Sequence, residues 1–193
     1  MSCLRTLRKP ALLLLLSLYA SISLANDVER GYQAYQAGDY DQAYTIWKPL
    51  AEQGDAEAQF NLGLLYRNGE GVKKNDRTAL EWFTESAKQG YLNALYNTGI
   101  MYMEGRGVSL STADAFKWWQ LAAERGHTPS QYNLGIMHAY GIATRKDTET
   151  AISLWQQAAT QGNAEARAVL YKVYSEGLFG QTIDADKAAL WHE

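Results

Sequence analysis

A segment of 36 residues recurs three times in this chain of 193 residues. NLGLLYRNGEGV at 61–72 returns as NTGIMYMEGRGV at 97–108 and as NLGIMHAYGIAT at 133–144. A fixed period of this length is typical of solenoids, in which each copy is one structural unit that stacks on its neighbours. Full copies are predicted at 55–90, 91–126 and 127–162, with a divergent lead-in half-unit at 26–54 and a shorter fourth unit at 163–193.

Each copy predicts two helices joined by a loop. In the first copy Ala58, Leu62 and Leu65 have helical spacing, and the helix is expected to end at Gly69, where a left-handed conformation costs glycine little. The loop before the fourth second helix is one residue longer than the others. Because one helix pair cannot bury its apolar face alone, the pattern predicts an all-α solenoid of antiparallel helix pairs. The second helices are expected to begin at N-capping residues: Asn75, Ser111, Asp147 and Asp184.

The two glycines in YRNGEGV, Gly69 and Gly71, could open a phosphate-binding loop. A dinucleotide fingerprint needs a third glycine and a preceding strand. Here Lys74 stands where the third glycine belongs, and a helical pattern precedes the loop. In the third copy the loop has become GIA. The glycines are therefore interpreted as backbone hinges, and no cofactor is predicted.

The repeated motif resembles a known family. The pattern Ala-x-x-x-Leu-Gly-x-x-Tyr-x-x-Gly-x-Gly-Val, followed by Ala-x-x-Trp and a closing glycine, is similar to the Sel-one-like repeat of the tetratricopeptide superfamily. The resemblance implies a right-handed superhelix of helix pairs that serves as a scaffold for binding proteins. Departures from the motif are Thr98, Leu170-Tyr171 and His138.

Glycines and tryptophans inside the predicted helices indicate a packed interior. Gly63, Gly99 and Gly135 each cost about 1 kcal/mol relative to alanine in a helix, so another backbone is expected to pass close to them. The tryptophans of the second helices are interpreted as core, with a sugar-stacking platform as the alternative. They are Trp82, Trp118, Trp119, Trp155 and Trp191.

The N-terminus is predicted to be a cleaved secretory signal peptide over residues 1–25. MSCLRTLRK is basic, ALLLLLSLYASISL is apolar, and Ser23-Leu24-Ala25 supplies small residues before the cut. The solidly apolar part is too short to span a bilayer, which needs about 20 apolar residues. The mature domain is then 26–193, and it is expected to be periplasmic or secreted without a stable membrane anchor.

Cleavage would remove the only cysteine, Cys3, together with three basic residues. The mature chain would carry 15 basic and 21 acidic residues, a net charge of −6. That balance disfavours nucleic acid and anionic membrane surfaces as partners, because both require a basic face.

Catalytic motifs are absent from the mature sequence. It contains no His-Glu-x-x-His, Gly-x-Ser-x-Gly, Walker or Ser-x-x-Lys motif. His127, His138 and His192 occupy different places in their units, and Glu81 with Glu85 is interpreted as a solvated face. No catalytic or metal site is therefore predicted. The alternative function is a binder or hydrolase acting on cell-wall glycan or β-lactams.

The predicted function is a non-enzymatic scaffold of the cell envelope that binds a partner protein or peptide. In tetratricopeptide-like folds the first helices line the concave groove, so repeated residues there are the candidate binding surface. An asparagine can pair with a peptide backbone through both donor and acceptor, and aromatic residues add contact area. The alternative is that the asparagines bond a neighbouring loop and the aromatics are core. The candidate residues are Asn61, Asn97, Asn133, Phe60, Tyr96 and Tyr132.

The fourth unit is shorter than the others, which continue about eight residues past the tryptophan position. Solenoid ends need a polar cap, whereas this end carries Leu190 and Trp191. It is expected to fray, or to dock on a partner or on a second copy of the chain.

Overall fold

The computed structural model describes residues 27–192, and these residues form helices without any strand. The predicted signal peptide lies outside them. No helix within the described range has the length and apolar character needed to span a bilayer. The helices are α1 (27–36), α2 (Tyr40–Glu52), α3 (Ala56–Asn68), α4 (Asp76–Lys88), α5 (Leu92–Glu104), α6 (Thr112–Ala123), α7 (Thr128–Tyr140), α8 (Thr148–Thr160), α9 (Ala164–Ser175) and α10 (Ala185–Ala189), with a 3-10 helix at Leu178–Gly180.

The helix ends are those that the sequence predicts. Each of the four expected capping residues of the second helices accepts a hydrogen bond from the backbone N–H three residues later. Each bond satisfies one donor that a helix N-terminus would otherwise leave unpaired. At the other end, α3, α5 and α7 finish at left-handed glycines, Gly69, Gly105 and Gly141. The predicted all-α solenoid of helix pairs is confirmed.

The second glycine of the loop allows one unit to approach the previous one. Gly107 has a φ of 72°, and a Cβ added there would lie 2.6 Å from the backbone carbonyl carbon of Asp76, at the start of α4. In the third copy the matching residue is Ala143, which keeps a φ of 60°. This conformation costs an L-residue about 1–2 kcal/mol, so the shape of the loop is maintained against the preference of its sequence.

A notch at the helical glycines holds an aromatic ring of the paired helix. A Cβ added at Gly99 would lie 2.5 Å from Cδ1 of Trp119, whose indole N–H donates to the carbonyl of Tyr96 at 3.1 Å. A neighbouring group does approach Gly99 closely, but the expectation that it is a backbone is wrong here, because the near atoms belong to the Trp119 ring. The same close contact between a helical glycine and a ring of the paired helix joins Gly63 to Phe83, Gly135 to Trp155 and Gly31 to Trp47.

The expectation that all the second-helix tryptophans are core is correct for only some of them. Trp119 and Trp155 are 5% and 1% exposed, whereas Trp82 and Trp118 are only partly buried. The reason is helical geometry, since adjacent positions on a helix point about 100° apart and cannot both face the glycine notch.

The lead-in segment is a helix pair and not a half-unit. Helices α1 and α2 are joined by a short turn at 37–39, and the Trp47 indole donates to the carbonyl of Val28 at 3.1 Å. This bond matches the bond between Trp119 and Tyr96 in the second copy. The short turn hides the homology in the sequence, because α2 keeps the 36-residue register while α1 lies four residues out of it: Gly31 is 32 residues before Gly63, and Trp47 is 36 before Phe83.

The fourth unit differs for the same reason. Its longer loop places Asp184 at the N-cap, so the buried Ala188 corresponds to Ala151 of the third copy and His192 corresponds to Trp155. Trp191 then corresponds to Trp118 and Leu154, each seven residues after its cap, as the sequence predicts. The extra loop residue displaces α10 as a whole by one residue relative to the 36-residue period.

The units stack through alternating helices. Each second helix packs on the first helix of the next unit, so that α2 contacts α3, α4 contacts α5, α6 contacts α7 and α8 contacts α9. Buried glutamines bond across two of these junctions: Gln59 donates to the carbonyl of Ala51 at 3.1 Å, and Gln131 to that of Ala123 at 3.4 Å. The first helices therefore recur at a regular interval along the stack.

Candidate partner-binding surface

The aromatic residues of the candidate surface lie at the same place in successive first helices, but they are not equally accessible. Phe60 is 9% exposed and packs between Phe83 and Tyr91, at centroid distances of 5.6 and 5.2 Å. Tyr96 and Tyr132 are partly buried, and their backbone carbonyls accept the indole N–H groups described above. Phe60 therefore offers little area to a partner, whereas the two tyrosines keep an exposed part.

The three asparagines also differ from one another. Asn61 is 8% exposed, whereas Asn97 and Asn133 are partly buried. Asn97 donates through Nδ2 to the carbonyl of Asn93 at 2.7 Å and accepts at Oδ1 from Arg67 at 2.5 Å. The repeated position thus places three amides in line, with Asn97 already oriented by its neighbours.

Hydrogen bonds connect Asn97 to the N-terminal units. The Glu70 carboxylate accepts from the Tyr35 hydroxyl and from Asn68 Nδ2, each at 3.0 Å. Asn68 Oδ1 in turn accepts from Arg67 Nε at 3.3 Å, and Arg67 reaches Asn97 on the next first helix. These bonds join α1, the end of α3 and α5.

The contacts continue toward α7. Asn93 Oδ1 lies 3.3 Å from His127 Nε2, and His127 Nδ1 lies 2.9 Å from Ser130 Oγ. The His127 ring also packs on Tyr96 with centroids 5.2 Å apart, and burial lowers the pKa of His127. We call this connected set of side chains the polar strip: Tyr35, Glu70, Asn68, Arg67, Asn97, Asn93, His127 and Ser130.

The repeat pattern does not reveal Arg67, because the matching residues of the second and third copies are Met103 and Ala139. The signal that could have found it is a charged residue at a position that is uncharged in the other copies. Arg67 is partly buried, and its pKa is lowered by burial and next by the nearby Arg106. Its guanidinium also lies 5.9 Å from the centroid of the Phe83 ring.

The family model of the Sel1 repeat matches residues 56–91, 92–127 and 128–163, which is more than half of the chain. The chain belongs to the Sel1 repeat family. Its predicted resemblance to Sel-one-like repeats is thereby confirmed, and each matched segment begins one residue after the corresponding predicted unit.

Two solved structures have a fold similar to that of this chain. A Sel1 repeat protein from Oxalobacter formigenes is 32% identical with a TM-score of 0.79, and the alignment covers 86% of this chain and 65% of that one. The protein c5321, a protective antigen of uropathogenic Escherichia coli with an SLR fold, is 34% identical with a TM-score of 0.82. That alignment covers 91% of this chain and 38% of c5321. These likenesses support the right-handed superhelical solenoid.

A curated relative matches over a shorter stretch. A sel1-like repeat-containing protein of Acanthamoeba polyphaga mimivirus is 37% identical, and the alignment covers 26% of this chain and 11% of that protein. The chain thus spans less than two thirds of the length of each of these three relatives. Sel1 repeat solenoids are generally protein-interaction scaffolds.

The side chains considered for chemistry are dispersed over this Sel1 repeat solenoid. Glu81 and Glu85 are both exposed on α4, as expected for a solvated face. His138 packs edge-on against Phe116 at 5.5 Å, and its Nδ1 is buried without a hydrogen-bond partner among residues 27–192. Within the same range no three of the His, Cys, Asp and Glu side chains group as metal ligands.

The C-terminal end exposes apolar side chains. Ile183 and Leu190 are 72% and 75% exposed, and two cavities of ≈ 490 and ≈ 450 Å³ adjoin Tyr171 and His192. Tyr171 stands where the other units have the helical glycine, and its ring meets His192 edge-on at 5.2 Å. Self-association through this end stays a prediction.

Proposed function

We propose that this protein is a non-enzymatic scaffold of the cell envelope, which binds a partner protein or peptide through the face of its first helices. The observation that carries the proposal is the polar strip, which crosses α1, α3, α5 and α7 on a solenoid of stacked Sel1 repeats. Hydrogen bonds hold its side chains in place, so binding would cost little conformational entropy. An envelope location is supported by the signal-peptide pattern of residues 1–25.

Asn97, Asn133, Tyr96 and Tyr132 are the candidate residues that combine partial exposure with a repeated position. The tyrosine rings add stiff contact area, and the amides offer both donors and acceptors to an extended backbone. The repeat places them at a constant interval along successive helices. A partner segment that runs along the solenoid can therefore meet equivalent groups in turn.

The test is a pull-down from envelope extract followed by mass spectrometry. The purified mature domain is compared with the double variant Asn97→Ala/Asn133→Ala and with the control Glu81→Ala/Glu85→Ala on the exposed face of α4. We expect the first variant to lose a specific partner and the control to retain it. Loss of the partner by both variants, or by neither, would contradict the proposed surface.

Thermal melts of the same variants separate binding from folding. Asn61→Ala is measured alone, because a polar atom left unsatisfied by truncation of a buried group costs about 1–3 kcal/mol. Exposed substitutions usually change stability by about 0.5 kcal/mol or less. A collapsed melt of Asn97→Ala/Asn133→Ala would assign these two asparagines to structure and retire them as binding residues.

Location and the alternative function need separate measurements. The intact mass of the exported protein is expected to match a start at Asn26, and a full-length mass in the soluble envelope fraction would overturn cleavage after Ala25. Turnover of nitrocefin, or binding to purified sacculi in the absence of a protein partner, would favour the glycan or β-lactam alternative.

A further inference from the structure

The side chain of Arg67 is the member of the polar strip whose charge is not matched. It is partly buried, and no carboxylate oxygen among residues 27–192 lies within 4.0 Å of its nitrogens. Arginine side chains are rarely fully buried without a partner, and even partial removal of water from a cation costs free energy that an anion or several acceptors return. An anion from outside the chain is therefore expected to bind at this position.

Arg106 shows how the same chain treats an arginine that is matched internally. Its Nη2 lies 2.8 Å and its Nε 3.4 Å from the two carboxylate oxygens of Asp76. This paired hydrogen bond raises the pKa of Arg106, whereas burial lowers the pKa of Arg67. Both guanidinium groups lie near the loops that connect the first and second helices, but in the part of the chain that the structure describes only Arg106 has a carboxylate partner.

The hydrogen bonds of Arg67 orient the guanidinium and leave donors free. Of its five N–H groups, Nε donates to Asn68 and one Nη1 hydrogen donates to Asn97. Both acceptors are neutral amide oxygens. Asn97 is fixed by its own bond to Asn93, and Asn68 by its bond to Glu70. The remaining N–H groups can meet the two oxygens of a carboxylate in the paired geometry that arginine favours.

We propose that Arg67 binds a carboxylate of the partner, so that an acidic side chain or a free C-terminus of the bound segment docks between α3 and α5. This inference rests on the proposed function and names the chemistry of its ligand. Arg106 lies near Arg67 and adds to its attraction for an anion, whereas the nearby Glu104 and Glu70 oppose a second negative charge, so a singly charged carboxylate fits better than a phosphate. Contact with the Phe83 ring positions the guanidinium but does not neutralise it.

The first experiment uses simple carboxylates and observes the Nε–Hε resonance of Arg67 by NMR at constant ionic strength. The resonance is assigned by its absence from Arg67→Lys. Acetate is compared with acetamide. The peptide Ac-Gly-Gly-Glu-Gly-Gly-amide and its glutamine analogue then test an acidic side chain, and Ac-Gly-Gly-Gly with a free or an amidated end tests a C-terminus.

We expect acetate and one of the two carboxylate peptides to give a saturable shift, and the peptide that does so identifies the source of the carboxylate. The neutral analogues are expected to leave the resonance unchanged. An equal response to acetate and acetamide, or no response to acetate, would overturn the proposal.

The second experiment measures the dissociation constant of the captured partner. Arg67→Gln is expected to weaken binding about 10–100-fold, the range that corresponds to loss of a charge-assisted hydrogen bond. Arg77→Gln, which removes the same charge from an exposed site on α4, is the matched control and is expected to change binding little. Unchanged melts of both variants exclude a folding defect.

The two proposals fail in different ways. A partner that binds the wild-type domain and Arg67→Gln equally well would overturn the role of Arg67 and leave the scaffold function standing. If acetate shifts the Arg67 resonance but no protein is captured, the carboxylate site stands and the proposed scaffold function fails.

Discussion

The two helices of each unit cross in all four units, but the large side chain at the crossing lies on the second helix in units one to three and on the first helix in the fourth. In the first three, a glycine on the first helix opens a notch that receives Phe83, Trp119 or Trp155 from the second helix. In the fourth, the large residue Tyr171 stands on the first helix and meets the smaller ring of His192. The difference teaches that the 36-residue period specifies where two helices cross, while the side-chain volumes at the crossing decide how deeply they interlock.

The largest expected effect is at the aromatic side of the notch. Trp119→Ala is expected to destabilise the domain by about 3–5 kcal/mol, because it empties a buried site and leaves the Tyr96 carbonyl without its indole donor. Trp191→Ala, in the partly buried C-terminal position, is expected to cost less. Urea unfolding of the two variants measures the difference. Equal losses would show that the fourth unit is packed as tightly as the second.

The glycine side of the notch comes next. Gly99→Ala is expected to destabilise by about 1–3 kcal/mol, since the new methyl group would overlap the Trp119 ring. This is opposite in sign to the gain of about 1 kcal/mol that alanine normally brings to a helix. Tyr171→Ala at the matching place is expected to have a small effect. Thermal unfolding checks both, and a stabilised Gly99→Ala would refute the notch.

A smaller effect is expected from a polar residue in the core of the second unit. Thr98 is fully buried, and its hydroxyl has no hydrogen-bond partner among residues 27–192, whereas the fourth unit has the buried Leu170 at this place. Thr98→Val keeps the shape and removes the unsatisfied hydroxyl, so it is expected to stabilise by about 1 kcal/mol. Its midpoint of urea unfolding should rise with an unchanged slope. A fall in the midpoint would mean that the hydroxyl is bonded in solution.

The smallest expected effect is a pH dependence of the free energy of unfolding that comes from His127, at the start of α7. Burial lowers the pKa of His127 in the folded protein below its ordinary value of about 6.5, so the unfolded chain binds the proton more readily. Its contribution to stability is present above about pH 6.5 and is lost as the pH falls through the folded-state pKa.

The matching residue of the fourth unit, Asn163, caps α9 without titrating. His127→Asn is therefore expected to reduce the loss of stability between pH 8 and pH 5, by at most about 1.4 kcal/mol for each unit of pKa difference. Urea unfolding at the two pH values measures this. An identical pH dependence in the wild type and the variant would contradict the effect of burial.

Most of the helix boundaries could be predicted, because the determinants are local. A capping side chain such as Asn75 and a left-handed glycine such as Gly69 act within one turn of the chain. The 36-residue period was a less reliable guide to the position of a helix where the preceding loop changes length. It concealed the α1–α2 pair behind a shorter turn, whereas the longer loop before α10 could be recognised from the position of the Asp184 cap.

The candidate surface was only partly predictable. The repeated asparagines were visible as a pattern, yet their burial differs from unit to unit, as Asn61 and Asn133 show. Arg67 was missed because it occurs in a single copy. Its importance depends on Asn97, which is 30 residues away, and on the fact that no carboxylate within residues 27–192 forms a salt bridge with it.

The sequence by itself determined that this protein is an all-α solenoid, since helix caps, hinge glycines and a recurring apolar pattern are local and repeat with one period. Only the tertiary structure decided which residue of each pair of neighbouring side chains faces the core, and which charges remain unpaired. Trp119 enters the notch of Gly99 while Trp118 does not, and Arg106 pairs with the carboxylate of Asp76 while the hydrogen bonds of Arg67 within residues 27–192 go to amide oxygens. These outcomes depend on how adjacent helices are rotated and how far neighbouring units lie apart, and a period along the chain does not encode either quantity.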